Sequence, residues 1–235
     1  MSIFKSSEIH RRSFIGTLLS VSAPVFLAQK SFAQNEAQSR QERSSSPPQV
    51  IVFDVIETLL DIRVLEPHFQ RAFGRTEVLL EWFSQVLLYS MAGSLSGPYL
   101  DFATPGGAAL DMVATYRGVK VSQGDREQIL KGMLSLPPYA EVSTQLQRLK
   151  DAGFRLVTLT NSSLVTVQKQ LQHAGLFEYF EANYSVEPVR RYKPAPETYS
   201  LVEEKLGLPA DSLLLVAAHA WDIIVQSKQD GVRHL

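Results

Sequence analysis

The chain has 235 residues, 45% of them hydrophobic, with 23 basic against 24 acidic side chains, which suffices for one α/β core plus an insertion but not for two independent domains. The basic residues are dispersed and no aromatic-basic stripe appears, which excludes a nucleic-acid surface. The absence of cysteine excludes a disulfide framework, a thiol nucleophile and a thiolate metal site.

The first 33 residues read as a targeting segment. His10-Arg11-Arg12-Ser13-Phe14-Ile15 resembles a twin-arginine export signal, Ile15 to Leu27 is a mildly apolar run too short for a comfortable membrane span, and Ser31-Phe32-Ala33 resembles a small-x-small cleavage site. Cleavage there would remove four of the basic residues and one acidic residue and leave a net charge of −4. The expectation is an exported, periplasmic protein with no stable membrane span after processing. Residues 34–48 are polar, end in Ser and Pro and lack apolar periodicity, as a flexible linker does.

Gln49 to Asp61 is the stretch around which the rest is organised. Val50, Ile51, Val52 and Phe53 form an apolar, largely β-branched run, the pattern of a strand buried on both faces of a parallel sheet. Asp54 follows directly, at the carboxyl end where open α/β sheets bind their ligands; a residue here can equally cap the next turn.

Residues 63–135 read as helical. Pro67 to Phe73 is a short amphipathic helix, and Glu77 to Met91 carries Val78, Leu79, Trp82, Phe83, Val86, Leu87 and Met91 at near-helical spacing. Leu110, Met112, Val113 and Tyr116 predict a helix ended by Gly118, and Asp125 to Leu134 another, capped by Ser122; Pro137-Pro138 stops the run. Core elements then alternate: helix Glu141 to Ala152, strand Arg155 to Leu159, helix Val165 to Ala174, strand Ala182 to Ser185, helix Pro196 to Leu206 and strand Leu213 to Ala217. Such alternation with right-handed crossovers predicts a Rossmann-like, doubly wound parallel sheet, with residues 49–62 and 136–235 as core and 63–135 as an inserted helical segment. Asp222 to Gly231 can form one more helix.

Four separated pieces of the sequence, FDVIETLLD with Asp54 and Thr58, the strand ending in Thr160-Asn161-Ser162, Arg191-Tyr192-Lys193-Pro194, and LLLVAAHAWD ending at Asp222, resemble the haloacid dehalogenase-like hydrolase superfamily. FDVIETLLD and AAHAWD are most similar to its 2-haloacid dehalogenase (type II) family. A chemical argument points the same way. Phosphatases of the superfamily need a second acid two residues after the nucleophile to protonate a leaving alkoxide, and that position is Ile56. A halide departs without a proton.

The resemblance implies a helical cap over Asp54 and hydrolysis of small 2-halocarboxylates to 2-hydroxy acids. Asp54 would displace halide in line and form an ester, which water cleaves at the Asp54 carbonyl carbon. Lys193 would keep Asp54 ionised, and Asp222 would orient the water or hold Lys193, while also being placed to cap its helix. Thr58, Thr160 and Asn161 would hydrogen-bond the Asp54 and substrate carboxylates. Tyr199 matches the family's site tyrosine, although a helix-face core tyrosine fits the pattern too, and His219 would position substrate or water. Trp221 reads as packing. Phe83 falls where some haloacid dehalogenases place an arginine associated with halide and carboxylate. The halide would then rest on Asn161, His219 or ring edges, in an apolar cradle suited to small substrates.

No cofactor and no metal is required, and the resemblance implies a homodimer. Relatives carry a further edge strand and closing helix for which Val232 to Leu235 is too short, so the last core strand is expected to be missing, as in a truncated copy. Two other readings stay open: a phosphatase of the same superfamily, and a silent remnant or binding protein.

Overall fold

The computed structural model describes residues 48–224 and 233–234. The segment read as an export signal, all but Pro48 of the stretch read as a linker, and most of the helix read from Asp222 to Gly231 lie outside the described residues.

The sheet is five-stranded in the order β3-β2-β1-β4-β5, with every neighbouring pair parallel. Its strands are β1 (Val50–Phe53), β2 (Arg155–Thr160), β3 (Ala182–Ser185), β4 (Leu213–Val216) and β5 (Arg233–His234). β1 lies between β2 and β4, with Phe53 opposite Thr158 on one side and Val216 on the other. Period-two alternation splits its side chains between two cores: Ile51 and Phe53 join one cluster, Val50 and Val52 the other. This is why the strand reads as unbroken apolar sequence. The expected absence of a further strand is corrected for two residues, since Arg233 and His234 pair with Leu214 and Leu215. An open edge at β4 offers unpaired backbone groups that even a two-residue segment can meet.

Eight α-helices are described: α1 (Glu66–Phe73), α2 (Val78–Ser96), α3 (Ala103–Tyr116), α4 (Gln123–Gly132), α5 (Val142–Asp151), α6 (Leu164–His173), α7 (Pro196–Leu206) and α8 (Ala220–Ile224). The first four occur between β1 and α5, as the apolar spacing predicts. Several begin a residue or two early, and two extend well beyond the expected bounds. α2 runs past Met91 to Ser96, where the Ser94 and Ser96 hydroxyls donate to the carbonyls of Met91 and Ala92, and it stops at Gly97. α3 begins at Ala103, well before Leu110, because the Asp101 carboxylate accepts the backbone N–H groups of Ala103 and Thr104 and offsets the weak helix propensity of Gly106 and Gly107. Ser122 caps α4 and Ser163 caps α6, each accepting the backbone N–H three residues on.

The helical segment joins the sheet through one continuous apolar cluster. Trp82, Phe69, Phe83 and Leu65 pack with Phe53, Ile56 and Leu60, and α5 and α6 contribute Val142, Leu146, Val167 and Leu171. The other face of the sheet is covered by Tyr192, Tyr199 and Val202. Helices therefore lie on both faces, and the ends of β1, β2 and β4 open toward the same region as α2 and α3.

Candidate active site

Asp54 is the first residue beyond β1, and its backbone N–H continues the ladder by donating to the Val216 carbonyl at 3.0 Å. The side chain is held on both oxygens. Thr58 Oγ1 donates to Oδ2 at 2.7 Å, and Lys193 Nζ donates to Oδ1 at 2.7 Å. The Thr58 hydroxyl in turn accepts the Ala218 backbone N–H at 2.9 Å, which ties the loop after β1 to the loop after β4.

Lys193 is completely buried, against the default for lysine. Its ammonium donates to Asp54, to Asp222 Oδ2 at 2.7 Å and to the Leu159 carbonyl at 3.1 Å, so all three protons are used. Burial alone would favour the neutral amine. The Asp222 and Asp54 charges outweigh it, and the Lys193 pKa is held above its ordinary value. The Lys193 backbone N–H donates to Asn161 Oδ1 at 2.9 Å, which leaves the Asn161 Nδ2 protons free to act as donors.

Asp222 is buried, with Oδ2 on Lys193 and Oδ1 accepting the Tyr199 hydroxyl. It does not line the free space beside Asp54. Of the two roles implied for Asp222, the geometry matches holding Lys193. Its backbone N–H also donates to the His219 carbonyl at 3.0 Å, fixing the turn that begins α8. Tyr199, expected at the substrate, stands behind Asp222 instead; burial first, and the adjacent Asp222 charge second, raise its pKa and keep the hydroxyl protonated. Thr160 lines the pocket but directs no hydroxyl bond to Asp54; its Oγ1 accepts the Ser162 N–H at 3.1 Å.

The free space beside Asp54 is about 20 Å³, room for about one water. Its walls include Ile56, Phe83, Phe102, Asn161 and His219. Phe83 and Phe102 meet edge to face, with centroids 6.4 Å apart. An adjoining chamber of about 280 Å³ shares Ile56, Phe83, Phe102 and Ser162 with it. The Ser162 hydroxyl, buried and without a hydrogen-bond partner among the described residues, borders both spaces.

Three residues at or beside the site escape a reading of the sequence. Ser162 is visible as the last residue of Thr160-Asn161-Ser162 but carries no signal separating it from a turn serine. Phe102 sits in an irregular connection with no periodicity. Glu57 is hidden by its backbone: it adopts φ 66°, a left-handed conformation rare for a side-chain-bearing residue, and thereby brings its carboxylate 2.9 Å from His219 Nε2. Trp221, expected only to pack, stacks on His219 at 5.2 Å and also lines the pocket.

A parallel α/β sheet presenting an aspartate at the end of its central strand, clamped by a buried lysine and facing a small apolar space, defines a hydrolase built around a carboxylate nucleophile. The chain belongs to the haloacid dehalogenase-like hydrolases, whose family profile matches residues 48–224. It is 33% identical to the (S)-2-haloacid dehalogenase of Pseudomonas sp. strain YL, over 73% of this chain and 75% of that protein. It is similar in structure to the L-2-haloacid dehalogenase of Xanthobacter autotrophicus, with a TM-score of 0.73 and 29% identity over 80% of this chain and 76% of that one. The same enzyme with chloropropionic acid covalently bound also superposes with a TM-score of 0.73, at 28% identity and over the same shares of the two chains.

Proposed function

We propose that the protein hydrolyses small 2-haloalkanoic acids to 2-hydroxy acids through an aspartyl ester on Asp54. One observation carries this reading: a carboxylate held by Lys193 and Thr58 faces a pocket whose wall, at the position where a phosphatase needs its proton donor, is the alkyl side chain of Ile56. In an apolar, water-poor space a carboxylate is a stronger nucleophile than in bulk water, and bonds from Lys193 and Thr58 aim it. Displacement forms the C–O bond as the C–X bond breaks, and halide leaves unprotonated. Water then attacks the Asp54 carbonyl carbon.

Asn161 Nδ2 and Ser162 Oγ are the donors proposed for the substrate carboxylate, with the Phe83 and Phe102 ring edges, which carry partial positive charge, around the halide. The helical segment α1–α4 would act as the cap that excludes water. The 2-haloacid dehalogenases among the relatives support the substrate class.

The test is halide release from chloroacetate and racemic 2-chloropropionate, with 2-hydroxy acid formed in equal amount. Magnesium-dependent phosphate release from an alkyl phosphate, without halide release, would replace this reading with the phosphatase.

We also propose export by the twin-arginine route, supported by His10 to Ala33, and pairing of two copies. Pairing is supported by the exposed apolar side chains Leu88, Tyr89 and Leu95 on α2 and Met112 and Tyr116 on α3. Light scattering should give twice the mass of the processed chain, and cell fractionation should place it in the periplasm; a monomer, or retention in the cytoplasm, contradicts the respective statement.

A further inference from the structure

The proposed ester intermediate needs a group that takes a proton from water, and Asp222 is poorly placed for it, with both oxygens engaged and no surface on the pocket. Lys193 has no free proton and no lone pair. Among the described residues that line the pocket, only Asp54 and His219 titrate, and Asp54 is the esterified group.

We infer that His219, oriented by Glu57, is the general base of ester hydrolysis, an inference that rests on the aspartyl-ester reading. The 2.9 Å contact from Nε2 to the Glu57 carboxylate fixes the tautomer with hydrogen on Nε2 and leaves Nδ1 as the basic nitrogen. Stacking on Trp221 sets the plane of the ring. The charges that face the imidazole are Glu57 from the loop after β1, Asp54 from the end of β1 and Asp222 from α8. The hydrogen bond to Glu57 raises the His219 pKa above its ordinary value, and partial burial opposes the rise. The backbone of Glu57 supports a functional role independently, because φ 66° is strained for glutamate and is retained where its carboxylate meets the histidine.

In the step itself, water oxygen bonds to Asp54 Cγ while one water proton passes to His219 Nδ1. The tetrahedral species collapses by breaking the Cγ–O bond to the substrate, and the departing alkoxide takes the proton from His219. The new Asp54 carboxyl gives up its remaining proton to His219 and from there to solvent, which the imidazole reaches because its side chain is 24% exposed. Each turnover thus releases one halide and one proton.

The experiment is rapid-quench and steady-state kinetics with 2-chloropropionate on the intact chain and three variants, with mass spectrometry of the protein. His219→Asn is expected to give a halide burst of about one per chain while turnover falls about 10²–10⁴-fold, with the ester accumulating on Asp54. Glu57→Gln is expected to move the rising limb of the deacylation pH profile to lower pH. A base must be neutral to act, and loss of the carboxylate makes the imidazolium easier to deprotonate. Glu57→Gly relieves the backbone and should fold at least as stably, yet turn over more slowly, which separates orientation of His219 from structural support. An ester that hydrolyses at the unmodified rate in His219→Asn, or a profile unmoved in Glu57→Gln, overturns the assignment. Absence of any halide burst from the unmodified chain instead overturns the dehalogenase reading.

Discussion

Replacing Asp54 by Asn is expected to lower halide release by about 10⁴-fold or more, since the amide is no nucleophile and no second carboxylate borders the pocket to take its place. The fold should survive. Lys193 faces two carboxylates, Asp54 and Asp222, so the substitution removes one negative charge from a buried cluster that carries an excess of one. The new amide oxygen can still accept from Lys193 Nζ, and the Thr58 hydroxyl can accept from the amide nitrogen. Stability should therefore change by about 1 kcal/mol or less, about 2–4 °C in Tm. Halide release by a well-folded variant at the unmodified rate would remove Asp54 from the reaction.

Lys193→Met should abolish activity and lower stability as well. Methionine roughly fills the volume but leaves Asp54, Asp222 and the Leu159 carbonyl without the ammonium that satisfies all three. Breaking a buried ion pair on one side costs about 3–5 kcal/mol, a large part of a total that is typically about 5–15 kcal/mol. Denaturant unfolding of the two proteins measures it, and equal midpoints would mean that the Lys193 ion pairs add nothing net to the fold.

The same ammonium sets an alkaline limit on the unmodified protein. Its folded pKa lies above the ordinary 10.5, so its contribution is fully present below about that pH and disappears as pH rises through the folded value. Tyr199, an acid where Lys193 is a base, acts in the same direction. Burial and the Asp222 charge raise its pKa above the ordinary 10.0 by disfavouring the phenolate, so the folded state holds its proton where the unfolded chain has lost it, and stability again falls as pH rises past the unfolded value. The two groups therefore differ in charge but share the direction of the effect. Stability attributable to them should be flat through neutral pH and decline only in strong alkali. Lys193→Met should lose the lysine part of that decline; an unchanged alkaline profile would contradict the linkage.

Much of the fold is legible in one dimension because it is local. An apolar run of four residues buried on both faces marks β1, and the acid that follows it must lie at the strand end. Spacing at 3.6 residues marks the core side of α2, where Val78, Leu79, Trp82, Phe83 and Val86 are buried. Asp54, Lys193 and Asp222, separated by 139 and 29 residues, are brought together in the sequence only by resemblance to a known family, and their ion pairs match that expectation.

Other features depend on which atom reaches which, and no period records that. Tyr199 is expected at the substrate but donates to Asp222, because α7 packs beneath the sheet end and presents the hydroxyl from behind. Phe102 enters the pocket from an aperiodic connection, and Glu57 reaches His219 only through a left-handed backbone that glutamate seldom adopts.

The sequence by itself determined the order of strands and helices along the chain and placed Asp54 at the end of a doubly buried strand, because burial periodicity is written residue by residue; the nucleophile's role for Asp54 came from the family resemblance. Only the tertiary structure decided that Lys193 exhausts its donors on three partners, that Asp222 has no surface on the pocket and that His219 lines it. Hydrogen-bond partners across a buried site are chosen by packing between segments far apart in the chain, and that choice has no local signature.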